Sequence, residues 1–75
     1  MNKMLLSSLP INACGKVENL NCTGNIRRRL LDLGIVKGTN IVSIFKSPSG
    51  DPTAFEIRRT IIALRKEDSR LINLK

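Results

Sequence analysis

Apolar side chains in this chain of 75 residues occur only in short runs, and the longest unbroken run is residues 61–64. A membrane-spanning helix needs about 20 such residues, so none is predicted. The runs are separated by glycine, proline, asparagine and serine, and several are rich in β-branched residues. This pattern is typical of short strands joined by turns. The sequence therefore predicts a small, mainly β protein.

Five segments are predicted to form strands. They are residues 15–20, 39–45, 53–58, 61–64 and 71–74. Segment 39–45 is nearly continuously apolar, which predicts contact with the core on much of both faces. Segment 53–58 alternates, with Phe55 and Ile57 on one side. Phe45 and Phe55 are the only aromatic residues, and both are expected in the core because both lie in strand patterns.

One segment, residues 25–33, is predicted to form a helix. Asn25 is a suitable N-cap, since its side-chain oxygen can accept a free N–H of the first turn. Gly34 fits the position just after the helix, where a residue without Cβ adopts the left-handed conformation easily. Three apolar residues recur at i, i+4 and i+7 and are expected on one buried face. They are Ile26, Leu30 and Leu33.

Five short strands and one nine-residue helix are too few for two stacked sheets. Curling one sheet on itself buries a single core and limits the exposed edges. The length is that of one domain. We therefore expect residues 1–75 to form a single small barrel, SH3-like or OB-like, of about five strands with one short α-helix.

The charge and the residue types bear on function. Thirteen Lys and Arg against six Asp and Glu give a net charge of +7, and the chain has no histidine. Without histidine there are no Ser-His or Cys-His pairs and no imidazole ligands, so no catalytic residue is assigned and an enzyme is not expected. The positive charge suggests an anionic partner such as a nucleic acid, a phospholipid surface or an acidic protein face. A charged surface that serves solubility alone explains it equally well.

Two further features bear on cellular location. Cys14 and Cys22 have no recognised zinc spacing and are expected to be reduced thiols. The first residues begin like a secretory signal, but Ser7 and Ser8 interrupt them before the roughly seven apolar residues that such a signal needs. A cytoplasmic location is therefore expected.

Residues 26–39 read IRRRLLDLGIVKGT, which closely resembles the LRRRLLDLGLTPGT signature of the FeoA family, small SH3-like proteins of bacterial ferrous iron uptake. Two further motifs match in the same order, the Gly-Asp-Pro of residues 50–52 and the Ile-Ala-Leu-Arg-Lys-Glu of residues 62–67. The resemblance covers about residues 7–74. This chain departs from the family at Lys37, where proline is common, and near residues 59–60, where glycine is usual, so the turns there are expected to differ in shape.

The resemblance implies an accessory protein of Fe²⁺ uptake that binds FeoB, the membrane iron transporter with a cytosolic GTP-binding domain. It implies a cytoplasmic protein held at the inner face of the membrane through FeoB. The sequence does not specify the oligomeric state, for which a monomer is favoured. The same module also resembles the C-terminal domain of iron-dependent repressors. Two alternatives therefore remain open, a small basic nucleic-acid-binding barrel and a free-standing regulator related to that domain.

The first candidate for partner binding is the run Arg27, Arg28 and Arg29. Successive helical residues are separated by about 100°, so the three side chains fan over roughly 200°. Arg28 and Arg29 lie four and three residues before Asp32, a spacing that allows weak ion pairs. One or two of the arginines can dock on acidic side chains or a phosphate of a partner. The alternative is a solvated helix flank.

The other candidates are Asp51, in the proline-rich loop 47–52, and the pair Lys66 and Glu67. Exposed loops on a barrel often carry recognition, but this loop is equally explained as a hairpin connection. A capping or turn role is the alternative for Lys66 and Glu67. Fe²⁺ sites draw on histidine, carboxylates and sometimes cysteine. Glu67 and Asp68 are the only adjacent carboxylates, on a segment expected to be extended, where neighbours point to opposite sides. No metal ligand and no cofactor is therefore assigned, and Fe²⁺ association is only weakly supported.

Overall fold

The computed structural model describes residues 4–75, and its main feature is one sheet of six antiparallel strands in the order β1-β6-β2-β3-β4-β5. The strands are β1 (Met4–Leu5), β2 (Cys14–Leu20), β3 (Asn40–Lys46), β4 (Thr53–Ile57), β5 (Thr60–Leu64) and β6 (Ile72–Leu74). The helices are α1 (Gly24–Asp32) and the single turn α2 (Lys66–Ser69). A 3-10 turn, Leu6–Ser8, follows β1. Within the described residues, no helix has the length and apolar character required to cross a bilayer.

Strand β2 joins the two halves of the sheet. Its first three residues pair with β3, and its later residues pair with β6. One cluster of buried side chains receives residues from both halves, so the sheet folds round it. Its members are Leu6, Leu9, Val17, Leu20, Leu30, Ile35, Ile41, Phe55, Ile57, Leu64, Ile72 and Leu74. The predicted mainly β fold with a single core is confirmed. All five predicted strands agree with the observed ones to within one residue at each end.

The two halves approach each other closely at Gly15. A Cβ atom at this position would lie 2.7 Å from Cδ1 of Leu74, which is buried in β6. That distance is shorter than two carbon atoms tolerate, so any other residue would displace Leu74. Gly15 therefore lets β2 and β6 pack closely over the core.

Helix α1 ends in a Schellman motif at Gly34. The Ile35 N–H donates to the Leu30 carbonyl at 3.1 Å, and the Gly34 N–H donates to the Leu31 carbonyl at 2.9 Å. Gly34 has φ +92°, the left-handed region in which glycine pays no Cβ penalty. Ile35 is fully buried, so the turn fixes the chain to the core directly after the helix. The role predicted for Gly34 is confirmed.

The start of α1 differs from the prediction. The helix begins at Gly24, and Thr23 precedes it without a capping hydrogen bond from its side chain, so the expected N-cap role of Asn25 is wrong. Of the predicted buried face, Leu30 is fully buried and Leu33 packs on the core, whereas Ile26 is exposed. Ile26 lies in the first turn, one helical turn before Leu30, and its side chain is 44% exposed.

Strand β3 holds a bulge that reverses the side-chain alternation. Ser43 pairs with Phe55, but the next pair in register joins Phe45 to Ala54, so one extra residue lies in β3 between them. Because side chains alternate with period two, one inserted residue moves all later ones to the other face. Phe45 is therefore 57% exposed, and its predicted place in the core is wrong. Phe55 is buried as predicted.

Three elements were not predicted: strand β1, the 3-10 turn Leu6–Ser8 and the helical turn α2. Strand β1 pairs with β6 over only two residues, too short to leave a signal in the sequence. Residues 66–69 were expected to be extended, but they form one helical turn, α2. Glu67 and Asp68 therefore lie on a helix, and the expectation of opposed side chains on an extended segment is wrong.

Candidate partner-binding surface

The outer side of α1 presents two of the arginines to solvent. The helix is anchored from beneath by Leu30, which is fully buried, and Arg27 and Arg28 lie on its exposed side. A shallow open depression of about 510 Å³ runs along this side, lined by Gly24, Asn25, Arg27, Arg28, Leu31 and Asp32. Arg27 donates one long hydrogen bond of 3.4 Å to the Leu20 carbonyl, which orients its guanidinium group. The other donors of both arginines face solvent.

The third arginine is held by another element. Arg29 Nη2 lies 2.8 Å from Oδ2 of Asp68, in the turn α2, and this is the one ion pair among residues 4–75. The predicted weak pairing of Arg28 or Arg29 with Asp32 is therefore wrong. Asp68 is mostly buried and fixed beside α1, whereas the exposed Asp32 side chain remains in solvent. The positive charge of Arg29 is compensated, and the charges of Arg27 and Arg28 are not.

The predicted loop candidate is tied to α2 as well. Asp51 Oδ1 accepts a hydrogen bond of 2.8 Å from the Lys66 N–H, at the start of the turn. The hydroxyl groups of Ser47 and Ser49 donate to the carbonyl of Asp51 at 3.2 and 3.0 Å. The loop is therefore folded around Asp51, whose carboxylate caps α2. This contact supports the capping alternative for the 66–67 segment.

The candidates form one connected arrangement. Arg29 links α1 to α2, and Asp51 links α2 to the loop 47–52. Two acidic groups, Asp68 and Asp51, are used in these internal contacts. The candidate side chains that remain exposed without an ion pair or capping contact are Arg27 and Arg28 on α1 and Lys66 and Glu67 on α2.

The described residues do not assemble a metal centre. No three His, Cys, Asp or Glu side chains of residues 4–75 lie close enough together to share an ion. Cys14 is exposed, Cys22 is half-buried, and both are free thiols.

The Arg29–Asp68 ion pair leads to a first prediction. In a double-mutant cycle with Arg29→Ala and Asp68→Ala, we expect a coupling free energy of about 0.5 kcal/mol, because the Arg29 side chain is 58% exposed and solvent screens the pair. Urea unfolding followed by far-UV circular dichroism measures it. The coupling should fall when the salt concentration is raised to about 1 M. The matched cycle with Arg28→Ala and Asp32→Ala should give a coupling near zero, and an equal coupling in both cycles would contradict the observed pairing.

The curled antiparallel sheet with one nine-residue helix defines a small SH3-like protein that exposes Arg27 and Arg28, and residues 4–75 assemble no group of metal ligands. Residues 4–75 match the FeoA domain family. The chain belongs to the FeoA family, which places it in ferrous iron transport.

Three solved structures are similar to this chain. The FeoA-like protein of Clostridium acetobutylicum is 32% identical with a TM-score of 0.91, over 100% of this chain and 87% of that one. The FeoA of Stenotrophomonas maltophilia, determined with zinc and described as a prokaryotic SH3 domain protein, is 32% identical with a TM-score of 0.86, over 96% and 89%. The iron(II) transport protein A of Clostridium thermocellum is 30% identical with a TM-score of 0.92, over 96% of this chain and 44% of that one. This chain thus spans less than half the length of the C. thermocellum chain.

The same fold occurs within a manganese-dependent transcriptional repressor, with a TM-score of 0.85 at 12% identity, and within an IdeR protein. The IdeR of T. acidophilum matches with a TM-score of 0.85 at 16% identity, and this chain covers 34% of it. This likeness shows the fold alone.

Proposed function

We propose that this protein is a cytoplasmic accessory factor of Fe²⁺ uptake that binds the cytosolic part of FeoB. Membership of the FeoA family supports a role in ferrous iron transport. The S. maltophilia relative is described as a candidate activating factor of that transport. In this proposal the chain makes and breaks no bond. Fe²⁺ is the cargo of the transporter, GTP hydrolysis belongs to the partner, and the accessory factor is a monomer recruited to the inner face of the membrane.

The observation that carries the proposal is the pair of uncompensated arginines on α1. Arg27 and Arg28 are exposed, and neither has a carboxylate partner among the described residues. An Arg guanidinium has five donors in a planar fork that matches a carboxylate, so acidic side chains of a partner fit this face. In this proposal Asp51, Lys66 and Glu67, on elements that the Arg29–Asp68 ion pair and the Asp51 cap connect to α1, contribute to the same partner contact.

Reversing the two charges tests the proposal. We expect Arg27→Glu with Arg28→Glu to weaken binding to the purified cytosolic region of FeoB by about tenfold or more, because attraction becomes repulsion. Biolayer interferometry with and without guanine nucleotide measures the affinity. The unfolding free energy should change little, since both side chains are exposed.

The matched control reverses two exposed lysines away from α1, with Lys16→Glu and Lys75→Glu. Each reversal changes the charge by −2, so both double variants have a net charge of +7 − 4 = +3. The control should bind FeoB as the unmodified chain does. Equal affinities of the α1 variant and the control would remove this face as the FeoB surface.

A nucleic-acid-binding barrel is the second candidate, and the charge of +7 and the exposed Phe45 favour it. Single-strand binders stack bases on several exposed aromatic rings, and this surface offers one. Binding to phosphates also weakens steeply as salt rises. Titration with a single-stranded oligonucleotide at several salt concentrations, beside the FeoB measurement, distinguishes the two candidates.

A further inference from the structure

Strand β5 forms one edge of the sheet, with β4 on one side and no other described strand on the opposite side. The turn between the two strands consists of residues 58–59, so Ile57 and Thr60 form the hydrogen-bonded pair that closes it. Hydrogen-bonded and non-bonded pairs alternate along an antiparallel ladder. The residues of β5 that bond to β4 are therefore Thr60, Ile62 and Leu64.

The remaining residues of β5, Ile61 and Ala63, direct their backbone N–H and C=O groups to the open edge. Neither residue takes part in a backbone hydrogen bond to another element within residues 4–75. Their side chains also face outward, and Ile61 is 63% exposed. Phe45 lies on the same face, since it is paired with Ala54 and Ala54 is paired with Ala63. This edge therefore combines unpaired backbone groups with an exposed apolar face.

Four cations enclose this edge. Arg58 and Arg59 precede β5, Arg65 and Lys66 follow it, and all four are exposed. Residues 58–66 include no acidic residue, so the segment has a charge of +4. The nearest carboxylates in the sequence are Glu56, which pairs with Ile61, and the exposed Glu67, so the four cations outnumber the acidic groups beside this edge by two.

The turn keeps its arginines in an unfavourable backbone conformation. Arg58 has φ +52° and Arg59 has φ +67°, in the left-handed region that asparagine and glycine adopt much more readily. The sequence Asn-Gly would close the same turn with less strain. Strained residues of this kind are concentrated at functional sites, which indicates that the two guanidinium groups serve binding.

We propose that the β5 edge binds an extended acidic segment of another protein, which adds to the sheet as a further strand. Its backbone would bond to Ile61 and Ala63, an apolar side chain would cover Ile61, and acidic residues at its two ends would meet the cations. A second copy of this chain does not fit well, because two β5 edges would bring together the four cations of each copy, against only two carboxylates, Glu56 and Glu67, on each. A nucleic acid would meet the cations but leave the edge backbone unpaired. This surface is centred on β5 and shares only Lys66 with the α1 surface, and the proposal holds whether or not FeoB supplies the segment.

The probe is a fluorescein-labelled peptide, Asp-Glu-Thr-Val-Thr-Val-Thr-Glu-Asp, titrated into the full chain. We expect saturable binding by fluorescence anisotropy, and hydrogen exchange at the Ile61 and Ala63 amides slowed by about tenfold or more in the complex. Two further peptides carry N-methyl groups on alternate residues. In one peptide the methyl groups block the N–H groups along one edge of the strand, and in the other peptide they block those along the opposite edge. Alternate residues bond to opposite sides, so one of these peptides should fail to bind and the other should bind normally.

Two variants of the chain test the surface. Arg58→Asn with Arg59→Gly retains the turn, so the fold should be preserved or stabilised while peptide affinity falls by about tenfold or more. Ile61→Pro removes an N–H from the open edge, a position that a strand tolerates, and should weaken binding similarly. The control is Lys16→Asn with Lys75→Asn. It has the same net charge as the turn variant, +7 − 2 = +5, and should bind normally.

Several outcomes would overturn the proposal. One is the absence of binding at about 1 mM peptide. Equal binding of the two N-methylated peptides would reduce the interaction to ion pairing without strand addition. Tighter binding of a single-stranded oligonucleotide at the same residues would make the edge a nucleic-acid surface. Loss of peptide binding in the Arg27 and Arg28 variant, with retention in the turn variant, would transfer the site to α1.

Discussion

Replacing Phe55 with alanine is expected to lower the free energy of unfolding by about 3–5 kcal/mol. Phe55 is only 1% exposed and is the largest fully buried side chain in the core. Its removal leaves a cavity that the surrounding strands cannot fill without distortion. A domain of 75 residues is stable by only about 4–11 kcal/mol, so the variant should be close to unfolding at 25 °C. The chain has no Trp or Tyr, and far-UV circular dichroism in urea is therefore the suitable measurement.

Phe45→Ala provides a matched control, because the chemical change is the same and the residue lies on the adjacent strand. Phe45 is exposed on the outer face, so its truncation should change the unfolding free energy by less than about 1 kcal/mol. Similar losses for the two variants would mean that both rings lie in the core. That result would contradict the bulge in β3 and the exposed apolar face beside β5.

The difference between the two phenylalanines shows where strand prediction from the sequence stops. Turn residues and short apolar runs locate all five predicted strands to within one residue at each end. The alternation of Ile41, Ser43 and Phe45 indicates three residues on one face. The bulge between Ser43 and Phe45 reverses this order, and it arises from pairing with β4 rather than from any local preference of the sequence.

The helix shows the same limit. Gly34 has a local physical role, the left-handed turn after a helix, and the sequence predicts it correctly. Whether Asn25 caps the helix and whether Ile26 is buried depend on where α1 begins and how far it extends over the barrel. Both depend on the tertiary structure, which the spacing of the apolar residues does not predict.

The candidate surface could be predicted as a set of exposed residues but not as an arrangement. The arginines of α1, Asp51 and the 66–67 segment are all recognisable as polar and surface-exposed. The contacts between Arg29 and Asp68 and between Asp51 and Lys66 join segments 39 and 15 residues apart (68 − 29 and 66 − 51), so no local pattern reveals them. The strained turn at residues 58–59 gives no such signal either, because Arg-Arg is an unusual sequence for it.

Leu30→Ala is expected to lower the free energy of unfolding by about 2–5 kcal/mol. Leu30 is fully buried, and its carbonyl accepts the hydrogen bond from Ile35 that ends α1. Alanine preserves the helix propensity and that backbone bond, so the loss measures the packing of the side chain alone. The adjacent Leu31 is 37% exposed, and Leu31→Ala should cost less than about 1 kcal/mol in the same urea measurement.

The pair also distinguishes packing from binding, because the two leucines point about 100° apart round α1, Leu30 into the core and Leu31 partly to solvent. Leu31 lines the depression beside Arg27 and Arg28, and Leu30 fixes the helix beneath them. If α1 is the FeoB surface, Leu31→Ala should weaken binding while the fold remains stable. Leu30→Ala should weaken binding only in proportion to the fraction of unfolded chain, which the urea curve gives. A loss of binding in the folded fraction of Leu30→Ala would mean that the helix has lost its position on the barrel. Equal free energies of unfolding for the two variants would contradict the packing of α1 described above.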